Sequence, residues 1–498
     1  MGFCQGVFYR FFVKNTHPAP RLHLHFFTIR GILLLYFFIK GDVFFMKIVI
    51  IGGGTVGAAI CAELSADKHD ITVIDKSSAA VEEITSTSDV FGVVGNGADI
   101  SVLRKAGTEK AQLVIAVTSG DEVNILCCAA AKRLGAQNTV ARVRNPEYSE
   151  LMTLMKSEMN LSLTINPELA VAKQIYRMLR SPSAAKVDTF CRGRVELAEF
   201  VVSADSMLCG STLNDLRAKI NVRFLVCSVL RGGQAYIPAG HFRIEAGDVV
   251  CVTAPEDDLH LFFKAIGIYR DPVRNVLIVG GGRITYYLQS MLQRGKIKST
   301  VIERDKSLCR ELAEQFTCTV ICDNGTKQEL LREEGLEETD AFLALSAVDE
   351  ENAIVSMYAK TVARGKIVTN IGTMSYIDLF KGVGLESIVS PQSATATDII
   401  RYVRSMANAH EASEIESLHR FMENRVEALE FNVKKNIEGI TDIPLKQLRP
   451  RAGVLIACIV RRDRVIIPSG DDEIRSGDAV IVVTTHGQLK GLGGILNR

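Results

Sequence analysis

Tryptophan is absent from these 498 residues, proline is limited to 12, and 58 basic against 57 acidic side chains leave a formal net charge of only +1. So small a surplus lacks the basic footprint of a general nucleic-acid binder, and no nucleic-acid partner is expected. Scarce proline and a 47% hydrophobic share exclude a long disordered tail or a mucin-like stalk. The 12 cysteines include no CxxC pair; Cys127 and Cys128 are adjacent, and Cys318 and Cys322 flank a strand-like Thr-Val-Ile. Zinc sites need paired ligands at short fixed spacing. No metal site is therefore expected, and the cysteines read as buried, reduced thiols. Long apolar runs are missing as well. Within residues 1–45 the longest is Ile32 to Ile39, eight residues closed off by Arg30 and Lys40, whereas a membrane-spanning helix needs about 20.

Residues 1–45 stand apart from the rest. They hold one acid (Asp42), five basic residues and 10 of the 22 phenylalanines. They read as an extension outside the fold, an upstream translation artefact with Met46 as the true start; a membrane-touching arm is the other reading. After Met46 no run is apolar enough to span a bilayer, so the body is expected to be soluble.

What the chain does have is an internal repeat. Met46-Lys-Ile-Val-Ile-Ile-Gly-Gly-Gly is echoed at Arg274-Asn-Val-Leu-Ile-Val-Gly-Gly-Gly, an offset of 228 that holds without a gap for a full domain. Asn96-Gly97 maps onto Asn324-Gly325, Asp121 and Asn124 onto Asp349 and Asn352, and Lys132 and Tyr148 onto Lys360 and Tyr376. Each repeat opens with short β-branched runs alternating with helical patterns. In the first, strands are predicted at Lys47–Ile51, Ile71–Ile74, Val90–Val94, Leu113–Thr118, Thr139–Val143 and Leu163–Ile165. Such alternation predicts a doubly wound parallel sheet of the Rossmann type. A smaller α+β module follows each: Ile237-Pro238-Ala239-Gly240 and Ala246-Gly247-Asp248 recur, at an offset of 230, as Ile467-Pro468-Ser469-Gly470 and Ser476-Gly477-Asp478. The predicted boundaries are 46–181 and 192–268 for the first repeat, 273–405 and 423–498 for the second. A charged, glycine-free connecting helix is placed at 406–422.

Gly52-Gly53-Gly54-Thr55-Val56-Gly57 fits the G-x-G-x-x-G pattern. It follows a predicted strand, opens a helical run, and is succeeded by an acidic residue, Asp75, at the end of the next strand. Together these are the dinucleotide fingerprint. Gly52 permits the tight turn, Gly54 lets backbone approach a pyrophosphate, and Gly57 lets helix and strand pack closely. The free N–H groups of the helix start attract phosphate. Asp75 can accept from both ribose hydroxyls and would repel a 2′-phosphate, which favours NAD(H) over NADP(H). The second copy, Gly280-Gly281-Gly282-Arg283-Ile284-Thr285, keeps its acid at Glu303 but places a branched Thr285 where packing wants glycine. It reads either as a second nucleotide site or as a structural copy. Two further positions lie at the carboxyl ends of strands, where such sheets bind ligands: Thr118-Ser119, able to donate hydroxyl bonds, and Arg142, able to meet a phosphate. Their counterparts are Ser346-Ala347 and Asn370. No His–Asp or Lys–Tyr pairing stands out in the small modules, so no catalytic residues are assigned and no enzyme activity is expected.

Tandem fingerprint domains, each followed by an Ile-Pro-x-Gly…Gly-Asp module, resemble the RCK (regulator of conductance of potassium) architecture. The two-repeat arrangement over residues 46–498, with Ala116-Val117-Thr118…Asp121-Glu122…Asn124 and Ala141-Arg142-Val143, is similar to the TrkA family, the cytosolic NAD-binding subunits of Trk potassium uptake systems. The resemblance implies NAD(H) held by Gly52 to Val56, Asp75, Thr118, Ser119 and Arg142, and ATP or ADP at Gly280 to Ile284. It also implies a ring of such domains, peripheral on the inner face of the cell membrane, beneath a membrane-spanning potassium-translocating partner. An NAD-dependent oxidoreductase and a free-standing nucleotide sensor are the alternative readings.

Overall fold

The computed structural model describes residues 45–148, 161–407, 413–422, 424–485, 489 and 491–496. The predicted extension at 1–45 lies, except for Phe45, outside the described residues. Strands β1 (Lys47–Ile51), β2 (Asp70–Asp75), β3 (Phe91–Val94), β4 (Leu113–Ala116), β5 (Asn138–Arg142) and β6 (Leu163–Ile165) form one parallel sheet in the order β3-β2-β1-β4-β5-β6. Every residue of β4, and all but Lys47 of β1, is buried, which is why these runs are apolar throughout rather than alternating. The strand order reverses between β1 and β4, opening a crevice at their carboxyl ends.

A five-stranded sheet follows, built from β7 (Lys186–Phe190), β8 (Val195–Val201), β9 (Leu225–Arg231), β10 (Gln234–Tyr236) and β11 (Val249–Pro255), in the order β10-β9-β11-β8-β7 and antiparallel throughout. It begins at Lys186, upstream of the predicted 192. The second repeat rebuilds the first sheet with β12 (Asn275–Val279), β13 (Lys298–Glu303), β14 (Thr319–Cys322), β15 (Ala341–Ala344), β16 (Lys366–Asn370) and β17 (Ile388–Val389), in the corresponding order β14-β13-β12-β15-β16-β17. Then come β18 (Ser413–Phe421), β19 (Val426–Val433), β20 (Val454–Arg461), β21 (Arg464–Ile466) and β22 (Ala479–Thr484), ordered β18-β19-β22-β20-β21.

The strand β18 corrects the predicted connecting helix at 406–422. Met406 and Ala407 belong to helix Pro391–Ala407, 408–412 lie outside the described residues, and Ser413–Phe421 is a strand that pairs antiparallel with β19. Ile415, Leu418 and Phe421 recur every three residues, a helical spacing. A register shift between Ile415 and Ser417 leaves Ile415 and Leu418 on one sheet face, while Phe421 packs on the other.

The two repeats exchange helices. Helix Pro391–Ala407, from the second repeat, lays Ala396, Ile399, Ile400 and Val403 into the core of the first sheet, against helix Thr55–Ala66. Helix Pro167–Arg180, from the first repeat, lays Val171, Ile175, Met178 and Leu179 into the second sheet's core, against helix Arg283–Arg294. At about 1.5–3 kcal/mol per fully buried aliphatic side chain, each exchanged helix contributes several kcal/mol to the sheet it covers. The small sheets meet through one apolar cluster that joins Phe190, Val195 and Leu197 to Phe421, Val426 and Ile481. The repeated Gly-Asp pair is structural. Gly247 and Gly477 take positive φ (85° and 90°), and the buried Asp248 and Asp478 bind Arg231 and Arg461 at 2.7 and 2.8 Å.

The cysteines differ in part from expectation. The described ones are free, but Cys322 is exposed and Cys209 and Cys318 are half-buried. In the interior, burial pushes the Cys61 thiol up to about 12, which keeps it protonated and unreactive.

Candidate nucleotide sites

At the end of β1, Gly52 adopts φ +108°, and a Cβ there would stand 2.9 Å from the Thr118 nitrogen. Further along the turn, a Cβ at Gly57 would lie 1.8 Å from the Gly52 carbonyl oxygen, an overlap no side chain survives. Glycine at 57 therefore lets helix Thr55–Ala66 begin directly on the strand. Around Gly54 the space is open, with nothing within 4 Å of a built Cβ. Gly54 is the N-cap, it makes no side-chain cap bond, and the first helical turn holds no acid. The ladder starts with the Ala58 amide donating to Gly54, so the preceding amides at the helix start have no intrahelical acceptor. Free amides at an uncapped helix start form the kind of cradle that suits a phosphate.

Asp75 closes the cradle. Its Oδ2 accepts from the Gly53 amide at 2.6 Å and its Oδ1 from the Ser77 amide at 2.8 Å. Each oxygen keeps a second lone pair for a ribose hydroxyl. With the carboxylate aimed by backbone and the cap open, these residues fit an adenosine dinucleotide. Losing a charged acceptor costs about 1.5–3 kcal/mol, so Asp75→Ala is expected to weaken NADH binding roughly tenfold to 100-fold, read by calorimetry. Glu303→Ala is expected to leave that affinity intact. Equal NADH affinity in Asp75→Ala and parent would remove Asp75 from the site.

The structure brings Thr118, Ser119 and Arg142 to the same crevice, with a tighter wiring than their types suggested. The Thr118 hydroxyl donates to Asn124 Oδ1 at 2.7 Å, and Asn124 Nδ2 donates to the carbonyls of Thr118 and Arg142. Arg142 Nη2 donates to the Thr118 carbonyl at 2.6 Å, and its buried Nε has no partner among the described residues. Burial, with Arg144 beside it, lowers the Arg142 pKa. Ser119 is exposed, and its carbonyl accepts from Arg144 Nη2. Asp121 in turn receives the amides of Arg144 and Asn145 at 2.7 and 2.8 Å. Sequence reasoning did not assign Asn124, Asp121 or Arg144 to the site, although Asp121 and Asn124 recur in the second repeat. There Asn352 binds the Ser346 amide and the Asn370 carbonyl, and Asp349 receives the amides of Gly372 and Thr373.

Around the second turn, Gly280 repeats the positive φ (104°), and Glu303 Oε2 accepts from the Gly281 amide at 2.6 Å. Thr285 departs from the expected conflict. It is fully buried, and its hydroxyl donates to the Gly280 carbonyl at 2.6 Å. A Cβ at Gly57 would overlap the equivalent Gly52 carbonyl oxygen, so the two turns differ in local geometry. Arg283 is exposed, and Ile284 is buried in the core. A cavity of about 660 Å³ joins Gly280, Gly281, Gly282, Arg283, Ile284, Glu303 and Asn370 to residues of the first repeat, among them Asn145 and Glu168. Asn370 is buried, with its Oδ1 unpartnered among the described residues. The helix exchange crosses the two sites: Gln392 donates to Thr55 Oγ1 at 3.0 Å, and Tyr287 donates to the Arg144 carbonyl at 2.9 Å.

With this geometry, comparison with known proteins is specific. The TrkA-N domain family matches residues 48–162 and 276–391, and the TrkA-C domain family matches residues 197–267 and 431–495. The Trk system potassium uptake protein TrkA homolog of Archaeoglobus fulgidus is 32% identical over 447 residues, covering 89% of this chain and 98% of that protein. The Trk system potassium uptake protein TrkA of Halomonas elongata is 33% identical over 447 residues, covering 88% and 95%. Among solved structures, a GsuK channel bound to NAD superposes with a TM-score of 0.58 at 17% identity, over 92% of this chain and 83% of that one. That likeness is one of fold: tandem parallel sheets, each followed by an antiparallel one.

Proposed function

Because the chain belongs to the TrkA family, with its TrkA-N and TrkA-C domains in tandem, we propose that it is the regulatory nucleotide-binding subunit of a potassium uptake system. It gates a membrane-spanning potassium-translocating partner in response to NAD(H). The observation that carries this reading is the first crevice, where an open, uncapped helix start faces a carboxylate already aimed by two backbone amides. The curated relatives, named as potassium uptake proteins, support an output other than catalysis. No helix among the described residues is long and apolar enough to cross a membrane. The chain acts on flux through its partner, as part of a homo-oligomeric ring on the inner face of the membrane.

The first site holds NAD(H) through the amides from Gly53 to Val56, with Asp75 on the ribose and Arg142 near the far end. The second, around Gly280 to Ile284 and Glu303, takes an adenine nucleotide, ATP or ADP. A ligand shifts a two-state equilibrium only by its differential affinity for the two states. NAD(H) and ADP share the adenosine half, so the groups beyond the pyrophosphate, at Thr118, Ser119 and Arg142, read the difference. The test is potassium flux through the assembled complex with NADH, NAD, ATP and ADP in turn. Distinct rates are expected, with Arg142→Ala flattening the distinction at a coupling of about 1–3 kcal/mol. Identical flux with every nucleotide and with none sinks the proposal, as does measurable oxidation of NADH by a carbonyl substrate.

A further inference from the structure

A second cavity, of about 890 Å³, has no lining residue from either glycine turn. It opens where helices Pro167–Arg180, Met374–Gly382 and Pro391–Ala407 meet β7 and β18. Its volume lies in the range of roughly 300–1,000 Å³ usual for small-molecule sites. Among the described lining residues Arg420 is already paired with Glu63 and Glu427 outside the cavity, which leaves five cations, Lys173, Arg177, Lys186, Lys381 and Arg401, against four carboxylates, Asp188, Glu199, Asp378 and Asp398. Five against four leaves a surplus of one positive charge, before any charge on His419, which also lines it.

The surplus gathers at one point. Asp188 is 4% exposed and alone meets Arg177 at 3.2 Å, Lys186 at 3.6 Å and His419 at 3.2 Å. Burial opposes its ionisation, but these neighbours prevail and hold the carboxyl below the usual range. One negative charge still cannot neutralise two permanent cations. Arg177 also retains a buried Nε with no partner among the described residues. Lys173, one turn before Arg177 on the same helix, is exposed on the cavity wall. The Lys186 ammonium lies 4.8 Å from the centroid of the Phe421 ring, a flat apolar wall beside the charge.

We propose that this cavity binds a phosphate-bearing small molecule, its anionic group held by Lys173, Arg177 and Lys186 above Asp188. An anionic group meets the surplus that Asp188 leaves, whereas a cation would add to the sign already in excess. Guanidinium and ammonium groups are the usual partners of phosphate. The walls come from both repeats, from their exchanged helices and from both small sheets. An occupant would therefore tie together the parts that a nucleotide at the glycine turns has to move, in a site distinct from those turns.

The experiment titrates the full chain, saturated with NADH, with inorganic pyrophosphate and separately with AMP, in parallel with Arg177→Gln and Lys173→Gln. A saturable event is expected that, unlike any uptake of AMP at the second turn, is weakened about tenfold or more in each variant as charged hydrogen bonds are lost, with NADH affinity unchanged. Tighter AMP than pyrophosphate identifies an organic phosphate ester as occupant; the reverse identifies a free polyphosphate. Because Arg177 also pairs with Asp188, loss of folding in Arg177→Gln is possible to distinguish: Lys173 is exposed, and Lys173→Gln alone then decides. No saturable binding to the NADH-saturated chain overturns the proposal, and so does binding of equal strength in parent and Lys173→Gln. Neither result bears on NADH at the first turn, which Asp75→Ala tests separately.

Discussion

Gly57→Ala is expected to abolish NADH binding at the first turn and to lower the thermal midpoint of the protein. The added Cβ falls 1.8 Å from the Gly52 carbonyl oxygen, so the start of helix Thr55–Ala66 has to move away from β1. Overpacking of this kind costs about 1–3 kcal/mol of stability. The binding loss is larger, because the free amides of the first turn move as a unit. Two charge-assisted bonds at about 1.5–3 kcal/mol each amount to roughly 100-fold or more in Kd. The control is built into the chain. At the equivalent position Thr285 already carries a side chain, with its hydroxyl on the Gly280 carbonyl, so Thr285→Gly is expected to leave the first site as it was. Calorimetric titration with NADH and a thermal melt read both outcomes. A Gly57→Ala protein that binds NADH like the parent would falsify the cradle as the binding site.

The same contrast shows how far the residues alone could be read. The strands of both large sheets were legible because strands buried on both faces must be continuously apolar. The glycine turn was legible because φ +108° at Gly52 admits little else. Asp75 followed from spacing alone, since a strand–helix–strand unit brings its second strand's end beside the first turn. The misread elements are those whose geometry depends on a partner. In β18 a bulge converts a three-residue spacing from helix-like into one sheet face, and only pairing with β19 creates the bulge. Thr285 looked like an obstruction because the two turns share a sequence pattern, whereas their local geometry differs enough to seat its side chain. Asn124 and Asp121 were visible as repeated residues, but their task, bonding the carboxyl ends of β4 and β5 together, depends on contacts up to 24 residues apart. The exchange of helices joins Thr55 to Gln392 across 337 residues, and local pattern carries no trace of it.

That exchange also determines where the second large effect is expected. Glu427, on β19, is 4% exposed and receives Arg404 at 2.7 Å and Arg420 at 3.4 Å. Arg404 belongs to helix Pro391–Ala407, and Arg420 belongs to β18. The two arginines in turn meet Asp67 at 3.9 Å and Glu63 at 2.6 Å, at and near the far end of helix Thr55–Ala66, whose start forms the first cradle. Removing one member of a buried ion pair leaves the other charge uncompensated, at about 3–5 kcal/mol. Glu427→Ala leaves buried Arg404 with Asp67 at 3.9 Å as its remaining acid, while Arg420 keeps Glu63 at 2.6 Å, and a fall in stability at the lower end of that range is expected in a thermal or denaturant melt. Glu427→Gln keeps an acceptor and is expected to lose less. The effect on regulation is separable from the effect on stability. The bottom of the Glu427 cluster is the second small sheet, and its top is the helix that a nucleotide at Gly54 would pull upon. In Glu427→Gln, NADH is therefore expected to bind with parental affinity while its effect on potassium flux through the assembled complex shrinks. Unchanged flux regulation in a folded Glu427→Gln protein would mean that the signal leaves the first site by another route, and the apolar seam of Ile399, Ile400 and Val403 beneath the same helix would be the next place to break it.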